Sequence, residues 1–121
     1  MFEISVKRTF AASHALRSSE GLVEEPHNHE WSCEVTLASE GTDSIGTVAD
    51  FRDVDRAIDA AIDPIVGKRL HETRAFEGVS PSAENVALFI YGRVKEELGE
   101  KLRRVRVWED ADHSATYYEQ T

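Results

Sequence analysis

Residues 31 to 39 read Trp31-Ser32-Cys33-Glu34-Val35-Thr36-Leu37-Ala38-Ser39, and apolar and polar side chains largely alternate along them. Successive side chains of a β-strand point to opposite faces of its sheet, so this pattern predicts a strand with Cys33, Val35 and Leu37 on one side. The segment Pro26-His27-Asn28-His29-Glu30 leads directly into that strand. A second alternating segment, Phe2 to Thr9, predicts another strand near the start of the chain.

The middle of the chain has helical periodicity. A turn at Gly41 to Gly46 is followed by a predicted short strand, Thr47 to Asp50. This strand leads into a predicted helix from about Arg52 to Val66. A second helix is predicted after Pro81, with Ser80 as its N-cap and Pro81 at its first helical position. One apolar stripe runs along this second helix before Gly99 closes it; it consists of Val86, Phe89, Ile90 and Val94.

Two further strands, Arg103 to Glu109 and Ala115 to Glu119, are predicted at the end of the chain. Strands therefore cluster at both ends with the helices between them. This order predicts an α+β fold in which a four-stranded antiparallel sheet has both helices on one face. With no linker or repeat in 121 residues, residues 1–121 are expected to form one domain.

Composition excludes several functional classes. The net charge is -9 and basic residues do not cluster, which argues against nucleic acid as a partner. No apolar segment is long enough to span a bilayer, and residues 1–6 lack the features of a signal peptide, so no membrane association is expected. Cys33 is the only cysteine, which excludes an internal disulfide and favours a reducing cytoplasm.

Three histidines are the clearest candidates for chemistry. His27 and His29 are two residues apart, so on a strand they share a face about 7 Å apart, close enough to bind one ion. His14, in Phe10-Ala11-Ala12-Ser13-His14, lies where another strand ends. Three imidazoles leave one tetrahedral position open, as in catalytic zinc sites. The alternative is that these are ordinary surface histidines, and small neighbouring residues favour the metal site.

Several segments, in order, resemble the family of 6-pyruvoyl-tetrahydropterin synthase and 6-carboxy-tetrahydropterin synthase. The resemblance extends almost from end to end. Phe10 to Leu16 is similar to the family segment with the first zinc histidine, and His27-Asn28-His29 is similar to its His-Gly-His. The remaining matches are Gly46-Thr47-Val48-Ala49-Asp50-Phe51, Ser82-Ala83-Glu84-Asn85-Val86-Ala87, and Val107-Trp108-Glu109 with Tyr117.

This resemblance implies a set of site residues and an assembly. It implies that His14, His27 and His29 bind Zn2+, and that Glu109 receives a pterin substrate through two parallel hydrogen bonds. Ser82 is expected to contact the same ring. The family's tunnelling fold (T-fold) closes its sheets into a barrel by association, which implies a homohexamer of two stacked trimers with sites at subunit interfaces.

Two family features are missing. The family places a catalytic cysteine shortly before His-x-His, where this chain has Leu22-Val23-Glu24-Glu25. It also has an Asp-His pair between the helices, where this chain has Val66 and Gly67. Cys33 follows His29 by four residues among apolar neighbours, which indicates a buried structural thiol. The standard triphosphate-eliminating reaction is therefore not expected.

Replacements for these groups are available. A branch of the family uses a glutamate near the missing cysteine in forming a hydroxymethyl-dihydropterin, and Glu24 or Glu25 has about that spacing. Glu24 is the first candidate for the base. His71 and His113 are candidates for a second proton transfer, because imidazole titrates near neutral pH. All of these residues could instead be solvated surface groups.

Three functions remain open from the sequence. The first is a zinc-dependent lyase, of aldolase type, that acts on the side chain of dihydroneopterin or its triphosphate. The second is a zinc- and pterin-binding protein with altered or lost catalysis. The third, a zinc hydrolase of an unrelated substrate, leaves Glu109 unexplained. The open zinc position favours the enzyme, because storage alone does not require it.

Overall fold

The computed structural model describes residues 1–120 and confirms the α+β fold. Four strands form an antiparallel sheet in the order β1-β4-β5-β6, and a two-residue hairpin, β2 with β3, lies beside it. The strands are β1 Phe2–His14, β2 Arg17–Ser18, β3 Gly21–Leu22, β4 His27–Ser39, β5 Leu102–Trp108 and β6 Ser114–Tyr117. The helices are α1 Phe51–Ile62 and α2 Ala83–Leu98.

Strands β1 and β4 are longer than predicted, at 13 residues each. Their pairing continues without interruption from Phe2 opposite Ser39 to His14 opposite His27. The histidines therefore lie within the regular sheet rather than in the loops that flank it. The predicted strand ends were too short because polar and small residues at these ends gave no alternation to extend.

Both helices pack on the same face of the sheet and bury one apolar core. Trp31, Val35 and Val105 are fully buried on the sheet side of this core. The helices bury Val54, Ile58, Val86, Ile90 and Val94 against it. This covered face is also the face that carries His27 and His29, because both have the same parity as Trp31 along β4.

Helix α1 ends at Ile62, not at Val66 as predicted. Pro64 has no amide hydrogen to donate to the carbonyl of Ala60, so the helical hydrogen-bond pattern cannot continue. The guanidinium of Arg93 donates to that carbonyl instead, at 3.3 Å. At the other end, the carboxylate of Asp50 accepts the N–H of Arg52 and caps the helix.

The prediction of a short strand at Thr47 to Asp50 was wrong. The amide and hydroxyl of Thr47 both donate to the carboxylate of Asp43, at 2.9 and 2.6 Å, and close a turn. Val48 is buried, and its carbonyl accepts from the ammonium of Lys101 at 2.7 Å. These backbone groups are therefore paired locally and do not join the sheet.

The N-cap of α2 is Ser82, not Ser80 as predicted, so Pro81 lies before the helix. The hydroxyl of Ser82 accepts the N–H of Asn85 at 3.2 Å. Ser80 has another role, since its hydroxyl accepts the N–H of Arg17 at 3.0 Å.

The last two strands are each shifted slightly from their predicted bounds. No helix within residues 1–120 is both long and apolar enough to cross a bilayer.

Candidate metal centre

Strand pairing brings the three predicted histidines together at one end of the sheet. His14 lies directly opposite His27 in the β1-β4 register, and His29 lies two residues along β4 on the same face. One ligand atom from each histidine and one from Glu109 all lie within 4.8 Å of one another. This group of four residues, His14, His27, His29 and Glu109, is called the histidine cluster below.

His14 is held most firmly. It is 1% exposed, and its ring packs edge-on against Trp31 with centroids 4.9 Å apart. Its Nδ1 lies 2.7 Å from the carbonyl oxygen of Pro81, which can only accept a hydrogen bond. The Nδ1–H therefore donates, and a neutral ring in this position directs the lone pair of Nε2 into the cluster.

The ring of His27 is also held by a hydrogen bond from Nδ1 to a backbone carbonyl, here one close by in the chain. Its Nδ1 lies 3.1 Å from the carbonyl oxygen of Glu25 and donates to it, so a neutral ring has its lone pair on Nε2. For His29, burial lowers the pKa below the ordinary histidine value, which favours the neutral ring. Neutral imidazoles with inward lone pairs are the form that binds zinc.

Glu109 completes the cluster as its acidic member. Its Oε1 lies 2.5 Å from Nε2 of His14, 3.4 Å from Nε2 of His29 and 3.8 Å from Nε2 of His27. Despite the short distance, the buried Nε2 of His14 has no hydrogen-bond partner among the described residues. With neutral rings, three imidazole nitrogens and one carboxylate oxygen face a common space, which suits a cation among them. The donors of this cluster fit a divalent metal such as zinc.

The backbone turn after β5 fixes the position of Glu109. Its N–H donates to the carbonyl of His113 at 3.0 Å. The carboxylate of Asp110 accepts the amides of Asp112 and His113, both at 2.9 Å. The hydrogen bond from the Asp112 amide, followed by that from the His113 ring, lowers the pKa of Asp110. The sequence did not indicate Glu109 as a neighbour of the histidines, because this depends on the pairing of β5 with β4.

The other predicted site residues lie at different distances from the cluster. Oε1 of Glu24 lies 3.9 Å from Nδ1 of His27 and also accepts the N–H of Leu16 at 3.0 Å. Ser82 directly follows Pro81, whose carbonyl binds His14. The ring of His113 is exposed and paired with Asp110, and this hydrogen bond raises the pKa of His113.

His71 lies in a short 3-10 helix, Leu70–Glu72, away from the four clustered residues. Its carbonyl accepts from the guanidinium of Arg17. Its ring Nδ1 is buried and has no hydrogen-bond partner among residues 1–120. The ring lines a cavity of 920 Å³ together with Arg17, Arg69 and Ser80. His71 therefore lies outside the histidine cluster, beside a separate cavity.

Val66 and Gly67 stand where the family has its Asp-His pair, and Gly67 has a structural role here. Gly67 has φ +71°, and its N–H donates to the carbonyl of Ala11 at 2.7 Å. Val66 beside it cannot titrate. Cys33 is fully buried on β4, and burial raises the pKa of its thiol to about 12. A thiol of that pKa has almost no thiolate at neutral pH, so Cys33 does not replace the family cysteine.

The antiparallel sheet, the two helices on one face and the cluster at the strand ends define an α+β protein with a candidate metal centre. The family model described as 6-pyruvoyl tetrahydropterin synthase matches residues 3–120. The chain belongs to that family. No curated protein sequence matches the chain significantly.

Solved structures with the same fold include 6-pyruvoyl tetrahydropterin synthase from Caenorhabditis elegans, at 20% identity and a TM-score of 0.85. The Plasmodium vivax enzyme has 15% identity and a TM-score of 0.72. A variant of the Plasmodium vivax enzyme, in which a glutamate described as a catalytic residue is replaced by alanine, has 14% identity and a TM-score of 0.71. Each alignment covers 99% of this chain and 98% of the other. At these identities the similarity establishes the shared fold.

Proposed function

We propose that the protein is a zinc-dependent lyase that acts on the side chain of dihydroneopterin or of its triphosphate, by a reaction other than the standard pyruvoyl-forming one. The observation that carries this proposal is the grouping of one ligand atom from each of three histidines and one from Glu109 within 4.8 Å of one another. Membership of the 6-pyruvoyl tetrahydropterin synthase family supports the pterin as substrate.

In this proposal His14, His27 and His29 hold the zinc. Bound zinc supplies a positive charge that lowers the pKa of substrate hydroxyls and stabilises negative charge that develops beside them. The carbonyls of Pro81 and Glu25 fix the tautomers of His14 and His27, so both rings keep their lone pairs toward the ion. Burial around His14 and Trp31 limits water on one side of the centre.

Glu109 and Ser82 are proposed to orient the pterin. A carboxylate can accept two parallel hydrogen bonds from a ring N–H and the adjacent amino group of a pterin. Glu109 is 28% exposed at the side chain, which leaves it accessible to a ligand. The hydroxyl of Ser82 accepts from Asn85, so its own hydrogen is available for the substrate.

Glu24 is the proposed base. The Leu16 N–H holds its carboxylate in place, 3.9 Å from Nδ1 of His27, and this arrangement keeps it near the zinc ligands. The Plasmodium vivax variant described above supports a glutamate in this role, since a glutamate of that enzyme is described as catalytic. His71 is the second candidate for proton transfer, and His113 is third because Asp110 already binds its ring.

A binding protein that keeps zinc and pterin without turnover is the second candidate. It is favoured by Val66 and Gly67, which cannot transfer protons where the family has an acid and a base. The two functions differ in one measurable result, namely whether a product forms from a bound pterin.

The test is to incubate metal-analysed protein with dihydroneopterin and separately with its triphosphate, and to identify products by mass spectrometry. A hydroxymethyl or carboxy pterin is expected from the wild type. Glu24→Gln should lose turnover but keep zinc, whereas Glu20→Gln, a matched change at an exposed residue, should keep both. Tight binding without product supports the binding protein, and protein purified without zinc that cannot be loaded rules out both.

A homohexamer of two stacked trimers is also proposed, with sites at subunit interfaces. The sheet has two edges, β1 and β6, and a four-stranded sheet does not close into a barrel alone. Light scattering should give a mass near six chains of 13.6 kDa. We further propose that residues 1–121 act as one domain in the cytoplasm, where a single thiol stays reduced.

A further inference from the structure

We propose that a cavity beside the β2-β3 hairpin is an anion site that binds the phosphate groups of a phosphorylated small molecule. It is the 920 Å³ cavity lined by Arg17, Ser18, Arg69, His71 and Ser80, called the arginine cavity below. None of the four residues of the histidine cluster lines it. The inference goes beyond the proposed function, because it requires neither a metal nor a pterin.

Contacts of Arg17 hold the walls of the arginine cavity together. Its backbone N–H donates to the hydroxyl of Ser80 at 3.0 Å, and its guanidinium donates to the carbonyl of His71. These bonds join the β2-β3 hairpin to the 3-10 helix at Leu70–Glu72 and to the segment before α2. The volume lies in the range of small-molecule sites, about 300–1,000 Å³. The cavity is therefore present without a ligand.

The arginine cavity is basic in a chain that is acidic overall. The sequence has 23 Asp and Glu residues against 14 Lys and Arg residues, whereas two arginines line this cavity with Glu72 as the acidic side chain among its lining residues. Arg17 is half-buried, yet no ion pair within residues 1–120 involves it, and its buried Nε has no hydrogen-bond partner there. A positive charge that is partly shielded from water and lacks a carboxylate partner attracts an anion more strongly than an exposed charge does.

The hydroxyls of the cavity are set to donate hydrogen bonds. Oγ of Ser18 accepts the N–H of Glu20 at 3.2 Å, and Oγ of Ser80 accepts the N–H of Arg17 at 3.0 Å. Each hydroxyl keeps its own hydrogen for another acceptor. Guanidinium groups only donate, so the walls offer many donors and few acceptors. A ligand that satisfies them is rich in negatively charged oxygens, as a phosphate group is.

The ion pair of Arg69 with Glu72 makes the site testable by charge changes of both signs. Nη1 of Arg69 lies 3.4 Å from Oε2 of Glu72, and their side chains are 71% and 57% exposed. An exposed pair of this kind is weak, so a phosphate group can displace the carboxylate from the guanidinium. Arg56 and Asp53 on α1 form an ion pair with the same spacing along the chain, and their side chains are 72% and 57% exposed. This second pair does not line the arginine cavity, so it provides matched controls.

Calorimetric titration with inorganic tripolyphosphate tests the site. Full-length protein is freed of metal by dialysis against a chelator, so that zinc cannot bind the probe. Arg69→Gln should weaken binding about tenfold, because a charge-assisted hydrogen bond contributes roughly that much. Glu72→Gln should strengthen binding, because it removes the competing carboxylate. Arg56→Gln and Asp53→Asn change the net charge equally and should each alter the affinity less than about twofold, because salt screens distant exposed charges.

Two results of this titration overturn the proposal. One is that the wild type does not bind tripolyphosphate. The other is that Arg69→Gln and Arg56→Gln weaken binding equally, since the probe would then respond only to net charge.

Competition identifies the source of the phosphate groups. Displacement of tripolyphosphate by dihydroneopterin triphosphate, but not by dihydroneopterin, assigns the cavity to the phosphate chain of the proposed substrate. If neither pterin displaces it, the site serves a separate phosphorylated compound. Displacement by dihydroneopterin, which has no phosphate, places the probe in the pterin pocket and overturns the proposal. Failure to form a product from a pterin leaves these binding results unchanged, so the proposed function and this inference fail separately.

Discussion

The strand ends that carry the histidines lie beside the connection from Asp63 to Arg69. The two regions differ in which of their groups are held by hydrogen bonds. At the strand ends, backbone carbonyls of Pro81 and Glu25 fix individual side chains. In the connection, the fixed groups are backbone atoms, since the carbonyl of Lys68 accepts the N–H of Ser13 at 3.0 Å. Side chains that could hold a metal are therefore grouped at the strand ends, whereas the connection contributes backbone hydrogen bonds to the same end of the sheet.

The largest expected effect comes from removing one ligand at the strand ends. His27→Ala should weaken zinc affinity by more than about 100-fold, because a direct ligand contributes more than the groups that support it. Its ring is partly exposed, so the fold should persist. Competition with a chelator gives the affinity, and His113→Ala, an exposed histidine outside the cluster, is the control. Equal loss in both variants would contradict the assignment of the metal centre.

A smaller effect is expected from a substitution at Gly67, in the connection from Asp63 to Arg69. Gly67→Ala should lower the free energy of unfolding by about 1–2 kcal/mol, because a Cβ is strained in the left-handed region. Gly67 has φ +71°, whereas Gly41 lacks a positive φ, and an added Cβ meets no atom within 4 Å at either position. Gly41→Ala is therefore a control that differs only in backbone conformation. Urea denaturation measures both, and equal stability of the two variants would show that the backbone at Gly67 is not constrained.

The smallest effect is a pH dependence of stability that comes from Cys33, four residues beyond His29 on β4. Its native pKa is raised to about 12, above the ordinary value of 9.0, so the unfolded state loses the thiol proton first as pH rises. Stability from this group is complete below pH 9 and declines toward pH 12, by about 1.4 kcal/mol at pH 10. Subtracting the pH dependence of Cys33→Ala, which has no thiol, isolates this term. A flat difference between pH 8 and pH 10 would mean that the thiol is not shielded from water.

Sequence patterns predicted those parts of the molecule that depend on local periodicity. The four strands of the main sheet, the two helices and the shared face of His27 and His29 follow from spacing along the chain. The end of α1 was misplaced because the apolar pattern continues through Ile65, while Pro64 interrupts the hydrogen bonds. Ser80 and Ser82 both suit an N-cap, and only the contact of Ser80 with Arg17 decides between them.

The position of Glu109 beside the histidines was beyond sequence reasoning for a different reason. It depends on which residue of β5 pairs with which residue of β4, and Ser32 opposite Trp108 sets that register across 76 positions of chain. A shift of one residue would turn Glu109 to the other face of the sheet. The family resemblance indicated that Glu109 matters, but not that it lies among the ligand atoms.

The short backbone bridge between Ser13 and Arg69 has a consequence for how the chain avoids unwanted self-association. A long outer strand exposes amide and carbonyl groups that any extended peptide can pair with. Residues 67 to 69 already satisfy these groups over the stretch from Ala11 to Ser13, next to the histidines. A foreign strand is thereby kept from pairing with β1 beside His14, whereas the earlier part of β1 stays open to a neighbouring copy.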